Sequence, residues 1–462
     1  VRLSTTTTGI TVGGEVAASQ DYPDFQPVLD LNFMQNSTLD PRVTYTRDGT
    51  ASYVDETGRL RWVGAHVPRF DHDPITGKSK GLLIEESRTN IFHASASDYL
   101  SNIPRSTYNV NANGALIRVS DDVLAPDGSR TTTKLYWDGT YNSGGAWNQN
   151  GYARVGAYTG ELTAGDYVFS FFVKRGTDGR HNMDPFLGFD GSTPTFGTGH
   201  YQGVFQDFSP YFSRQPNING SDATIQKFPN GWYRCIGTFT ADQSWTPDNA
   251  GISHYILGAS NFKTYYEAMA HYYWGFQLEK AAFATSYIGN SLQEQTTRGA
   301  DTVMIDGENF TEFYNPVEST IVVNYTHPDA VTSSNLGGSA RLYRFRAVGG
   351  SDTRIDYVSN TNNEPYIASD GTNVANISNG QSTVFGGGAN KTAVRVKEDS
   401  FASSFNGSTA AEDTSGAWNP TNTITEVSLG SGTGDNPLNG HIQRFMYYPV
   451  GLPNSQLVTL TS

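Results

Sequence analysis

Apolar and aromatic residues fall at alternate positions in short runs along this chain, and the runs stop at residues that favour turns. Val43 and Tyr45 alternate with polar neighbours, Tyr53 and Val54 follow, and Asp48-Gly49, Glu56-Thr57-Gly58 and Asp73-Pro74 interrupt them. A period of two broken at such points predicts short strands joined by tight turns. The first stretch closes on Leu82-Leu83-Ile84, an apolar strand running into Glu85, Glu86, Ser87 and Arg88. The same spelling returns at 165–174 (GDYVFSFFVK), 231–236 (GWYRCI), 273–279 (YWGFQLE), 319–325 (STIVVNY), 392–396 (TAVRV), 427–430 (VSLG) and 438–448. Long amphipathic helices are hard to find. The predicted class is therefore all-β, with tandem antiparallel β-sandwiches. Between 329 and 389 Ser, Asn and Gly crowd the sequence, and no strand can be placed with assurance.

Composition supports that class. Glycine (49), tyrosine (26) and phenylalanine (25) are abundant while 16% of residues are charged, a balance suited to turn-rich sheets with aromatic packing. At 462 residues the chain has room for two or three cores. The pattern divides it into an N-terminal arm at 1–29, a short β module at 30–92, a larger sandwich at 93–290 and a second at 301–462, with TTRGAD (296–301) at the junction. The arm holds the threonine tract 5–8, Gly13-Gly14 and Tyr22-Pro23-Asp24-Phe25, too little apolar material for a core, so it is expected to order only against a partner surface.

The net charge of −14 with no run of Lys and Arg argues against a nucleic-acid partner. No apolar run approaches the ~18 residues of a membrane span, and no signal peptide is visible. Cys235 is the single cysteine, so no internal disulfide can form; folding in a reducing compartment is expected.

Four separate words stand in order in the first fifth of the chain: LDPRVT (39–44), TRDGTASYVD (46–55), VPRFDHDP (67–74) and GLLIEESRTN (81–90). They resemble a module that recurs in bacteriophage and prophage virion proteins. The words APDG (125–128), GWYR (231–234), WGFQLE (274–279) and ATSYI (284–288) resemble the jelly-roll domain, related to carbohydrate-binding modules, that follows this module in phage proteins; Phe276 stands where that family usually has Ala. The succession Ser404-Phe405-Asn406-Gly407, Val427-Ser428-Leu429-Gly430, a final strand with Arg444 to Tyr448, and the turn Leu452-Pro453-Asn454 resembles a concanavalin A-like, laminin-G-like sandwich. These resemblances imply a virion structural protein, a tail, fibre or decoration component located in the virion. It is expected to meet other virion proteins through its N-terminal region, to form a homo-oligomer, a trimer in the usual case, and to present β-sandwiches to a host cell-surface glycan or receptor.

Chemistry is sparse. Gly77-Lys78-Ser79 lacks the upstream glycine of a phosphate loop, since His72 stands there. Asp71-His72-Asp73 alternate in direction along a strand and lead into a Pro turn, so they cannot converge on one ion. Glycoside hydrolysis needs a pair of carboxyls ~5 to 9 Å apart; Glu85, Glu86 and Glu279 are carboxyls within the recurring words, where a structural role is expected, and no G-x-S-x-G elbow occurs. A non-enzymatic protein without cofactor is expected. A glycan-degrading depolymerase and a prophage-encoded or secreted bacterial lectin are the alternatives, the latter disfavoured by the missing signal. Candidate ligand-binding residues are Trp137, Trp147 and Asn148, where rings able to stack on sugars stand beside polar groups; the competing reading packs both rings in the sandwich or at a subunit contact. Trp418 is a weaker candidate. A calcium ion on Asp121, Asp122 and Asp127 is chemically conceivable, although their spacing fits no known loop.

Overall fold

The computed structural model describes residues 25–92, 295–327 and 437–462 without interruption, most of 340–430, and within 93–294 the strands named below with the connections at 123–131, 163–164, 228–231 and 280–289. The described residues are strands, turns and loops apart from two short helices, Gly307–Thr311 and Asn454–Thr461, and a 3-10 turn at Pro229–Gly231. All strand pairings among them are antiparallel. The all-β class follows.

Two sheets build the sandwich in the C-terminal part. One runs Ala411–Asp413, Phe401–Phe405, Ala389–Lys397, Glu318–Thr326, Gly440–Tyr448, Ser79–Ile84, Phe70–His72, with Leu29–Asn32 also on Gly440–Tyr448. The other runs Thr44–Thr46, Thr302–Asp306, Glu426–Leu429, Ala340–Arg346, Arg354–Ser359, Glu364–Ser369, Thr372–Ala375. Their inner faces meet through aromatic pairs: Phe345 lies 5.8 Å from Tyr447, and Tyr343 6.2 Å from Phe445. In Glu318–Thr326 the residues Ile321, Val323 and Tyr325 face this core while Val322 faces a second cluster with Met446, Tyr448 and Leu457 of the terminal helix. Burial on both faces explains why that strand reads as an almost unbroken apolar run.

The β module expected at 30–92 shares strands with the C-terminal sandwich. Leu29–Asn32, Phe70–His72 and Ser79–Ile84 join the first sheet and Thr44–Thr46 the second, while Ala51–Val54 and Leu60–Val63 pair with each other and Arg88–Asn90 pairs with Thr296–Arg298. Leu29–Asn32 pairs with residues 444–447 of the final strand and Ser79–Ile84 with residues 440–442, so they share one edge of it end to end, while Thr44–Thr46 pairs with Thr302–Asp306. The reason is geometric: strands of three to six residues with one apolar face cannot hide that face alone. Leu29, Leu31, Phe33, Tyr45, Phe70, Leu82 and Ile84 are all buried in the shared core, each such apolar side chain contributing roughly 1.5–3 kcal/mol. The Ser, Asn and Gly-rich stretch 329–389 also supplies four strands, Ala340–Arg346, Arg354–Ser359, Glu364–Ser369 and Thr372–Ala375, to the second sheet.

Residues 93–290 form sheets of their own. Six strands run Ala223–Lys227, Trp232–Ala241, Gly165–Arg175, Ala270–Glu279, Thr132–Trp137, Ala115–Ser120; five run Asn150–Ala157, Asn249–Leu257, Met183–Asp190, Tyr201–Gln206, Ser209–Phe212. Among the described residues no sheet mixes strands of this part with strands of the C-terminal sandwich. The chain enters along Arg88–Asn90 and returns along Thr296–Arg298, and these two strands pair with each other. The second unit is thus an insertion on a two-stranded stem.

Candidate functional site

Trp137 ends the strand Thr132–Trp137 with its backbone opposite Ala115; its side chain lies outside the described residues, as do Trp147 and Asn148 entirely. Of the calcium candidates, Asp121 and Asp122 also lie outside them. Asp127 accepts hydrogen bonds from the Ser129 backbone N–H (2.8 Å) and Trp62 Nε1 (3.2 Å). Among the described residues no three His, Cys, Asp or Glu side chains are grouped to hold a metal, and no helix is long and apolar enough to cross a membrane. Trp418 is corrected from ligand candidate to core residue: it is buried and donates Nε1 to Pro316 O at 2.8 Å. Asp73 binds the backbone N–H groups of Ile75 and Thr76 (3.0 and 2.7 Å) in its turn, and Asp71 pairs with His441 (2.9 Å). Cys235 is buried, and burial pushes its thiol well up.

The charged residues of the recurring words behave differently, because the fold gathers them into one place. Arg69 sits just before the strand Phe70–His72, Glu85 just after Ser79–Ile84, Arg298 at the end of the return strand and Asp301 three residues on. Arg69 donates Nη1 to Glu85 Oε2 (2.7 Å), to Ser286 Oγ (2.7 Å) and to Ser52 O (3.1 Å), and its Nη2 bonds Asp301. Arg298 gives Nη1 to Glu85 Oε2 (2.6 Å) and Nη2 to Glu86 O (2.6 Å). Asp301 also accepts from the Glu85 backbone N–H (2.7 Å) and from the Tyr45 hydroxyl. Arg47 donates to that hydroxyl (2.6 Å) and to Gly64 O (2.5 Å). Three guanidiniums and two carboxylates are thereby enclosed, none more than 4% exposed.

Burial by itself would raise the Glu85 carboxyl, but Arg298, Arg69 and the Ser286 hydrogen bonds outweigh it and hold that carboxyl well below the usual range. Burial likewise opposes the charge on Arg69, and Asp301 and Glu85 more than offset it. An ionic cluster of this kind has desolvation costs that approach its Coulomb gain, so its strongest physical effect is specificity: any arrangement that separates the partners leaves charge buried alone.

The network joins the two units through the loop 285–288. Glu85 takes both the backbone N–H and the hydroxyl of Ser286 (2.7 Å each) from one side. From the other, Glu279 accepts from Thr285 Oγ1 (2.6 Å), Gln277 Oε1 from Ile288 N (2.6 Å), and Arg234 donates to Thr285 O (2.8 Å). At the stem, Asn90 satisfies its whole amide: Nδ2 donates to Phe276 O and Ile288 O (3.1 and 2.8 Å), and Oδ1 accepts from Phe92 N and Leu278 N (3.1 and 3.0 Å). Of the three carboxyls weighed above for hydrolysis, Glu85 and Glu279 are enclosed within this network, while Glu86 is half-buried and paired with Arg88. Sequence reading missed Arg47, Arg298 and Asp301; the available signal was a charge placed inside words otherwise spelled for strand burial.

No family model matches the chain, and no curated protein does. Among solved structures, a Trypanosoma rangeli sialidase in complex with the inhibitor DANA is similar at 10% identity over 73% of this chain and 67% of that chain, with a TM-score of 0.23. A likeness at that score carries no inference about fold or activity.

Proposed function

We propose that this chain is a non-enzymatic structural protein of a bacteriophage virion, a tail, fibre or decoration component whose exposed β-sandwiches meet a host cell-surface glycan. One observation carries the reading. The words that resemble the virion module and its following domain contribute Arg69, Glu85, Arg234, Gln277, Glu279 and Ser286, and all six lie in one connected network at the junction of the two units. Their role is architectural, to fix how one sandwich sits on the other, which is what a particle component needs. The N-terminal arm then meets other virion proteins, and the copies assemble as a symmetric homo-oligomer, a trimer by preference.

Mass spectrometry of gradient-purified particles from the source prophage, with antibody labelling in electron micrographs, tests the reading. Stoichiometric presence on an appendage or capsid surface is expected; absence from intact particles overturns it. Release of reducing ends from host surface polysaccharide by the purified chain would instead establish the depolymerase alternative.

A further inference from the structure

The strand Leu60–Val63 carries an aromatic ring that the described residues hold in place but do not cover. By strand alternation Trp62 follows Leu60 on one face. Leu60 is buried in a cluster with Phe172, Trp274 and Tyr287, whereas Trp62 remains 40% exposed. Its ring stands edge-on to Tyr287 at 5.5 Å, and Tyr287 packs on Trp274 at 4.7 Å, so the indole is the outer member of an aromatic relay anchored in the core. Gly289 makes room for it: a Cβ there would lie 2.8 Å from Trp62 Cη2. Its Nε1–H is held by Asp127 Oδ2, leaving the π surface as what the ring offers to a ligand.

Two further groups complete a ledge. Asp127 accepts one hydrogen bond on each carboxylate oxygen, from Ser129 N and from Trp62, so each oxygen keeps acceptor capacity for a hydroxyl. Arg59 is exposed and lies over Gly128, where a Cβ would be 1.7 Å from its Nη2. It gives only a 3.4 Å hydrogen bond to Asp127 O and has no carboxylate partner among the described residues. Its neighbour Arg61, by contrast, is tied to Asp55 at 2.5 Å. A backbone bond from Leu60 N to Pro126 O (3.1 Å) fixes strand and turn together. In a chain of net charge −14, a guanidinium with no carboxylate partner among the described residues, set beside a fixed aromatic ring, is a specific combination.

We propose that Trp62, Asp127 and Arg59 form a binding site for an acidic saccharide. A pyranose ring stacks on the indole, its hydroxyls donate to Asp127, and the carboxylate of a uronic-acid unit meets Arg59. The inference rests on the glycan-binding reading above and names a site and ligand class for it. A ring pre-positioned by its neighbours loses little freedom when the sugar arrives.

The test uses the full chain with oligogalacturonate and hyaluronan tetrasaccharides as acidic probes and cellotetraose and maltotetraose as neutral ones, read by calorimetry and ligand-observed NMR. An acidic probe is expected to bind, more weakly as salt rises. Trp62→Ala is expected to weaken it at least about tenfold, the loss of a stacking contact. Because truncating Trp62 also removes packing on Tyr287, Arg59→Gln is the second variant: about tenfold weaker for the acidic probe, with an unchanged melting temperature. Acidic binding that survives both changes overturns the site while leaving glycan recognition in place. Preference for neutral probes, lost on Trp62→Ala but indifferent to Arg59→Gln, overturns the ligand class. If the parent chain binds none of these probes and no extracted host glycan, both the site and the glycan reading fall.

Discussion

Replacing Glu85 by Gln tests whether the enclosed network holds the molecule together. The substitution keeps the side chain's volume but removes its charge and turns one acceptor oxygen into a donor. Four hydrogen bonds reach that carboxylate, from Arg69 Nη1, Arg298 Nη1, Ser286 N and Ser286 Oγ. Each comes from a donor, so the new amide N–H₂ must face another N–H or O–H wherever it is placed. The enclosed charges change from three guanidiniums against two carboxylates to three against one, and breaking one partner of such a buried set costs roughly 3–5 kcal/mol. Urea unfolding followed by near-ultraviolet circular dichroism reads the loss, and hydrogen exchange at the Ser286 amide reads its location. A pH series adds an independent check. Because the folded Glu85 carboxyl is held below its ordinary value of 4.5, its contribution is complete above about pH 4.5 and is lost as pH falls below that. Glu85→Gln should therefore flatten the acid side of the stability curve. A loss under about 1 kcal/mol, with the acid side unchanged, would refute the assignment of a structural role to this network.

Asn90→Ala strands two backbone carbonyls and two N–H groups at the stem, and at about 1–3 kcal/mol for a buried unsatisfied group it should lower the urea midpoint clearly; an unchanged midpoint would show that water replaces the amide. His327 is buried with its imidazole pushed down from 6.5 to about 4 by burial. Its contribution is full above pH 6.5 and is lost as pH falls towards 4, about 3 kcal/mol in all, so His327→Gln should remove that dependence in a pH series of unfolding midpoints. Residues 301–462 expressed alone should be insoluble or unfolded by circular dichroism, since the core positions filled by Leu29, Leu31, Phe70, Leu82 and Ile84 would be exposed; a folded monomer would contradict the woven architecture.

Strand existence was legible where the local pattern was strong. The runs at 165–174, 232–236, 273–279 and 319–325 all fall within observed strands. What the pattern does not record is partner choice across long separations. Asp30 meets Arg444 at 2.6 Å and Asp71 meets His441, and nothing near either residue marks the other. That is why 30–92 reads as a separate module although its strands complete another unit's sheets. The stretch 329–389 was illegible for a different reason: Ser, Asn and Gly crowd the sequence in and around its strands, which dilutes the alternation. Trp62 was overlooked because its significance depends on Tyr287, Gly289 and Asp127, three positions contributed by the inserted unit.

The paired stem at Arg88–Asn90 and Thr296–Arg298 makes the second unit an exchangeable cartridge. Its two ends leave the host sandwich one strand spacing apart, ~5 Å, and among the described residues neither host sheet relies on a strand from within it. Recombination can therefore trade the cartridge without unpicking a hydrogen-bond ladder. It cannot trade it freely, because Glu85 and Arg69 require a hydroxyl and a backbone N–H where Ser286 stands, and the stem requires carbonyls where Phe276 and Ile288 supply them. The socket thus screens incoming cartridges by these polar atoms and by the apolar cluster that receives Leu60, while sequence away from the junction is free to diverge.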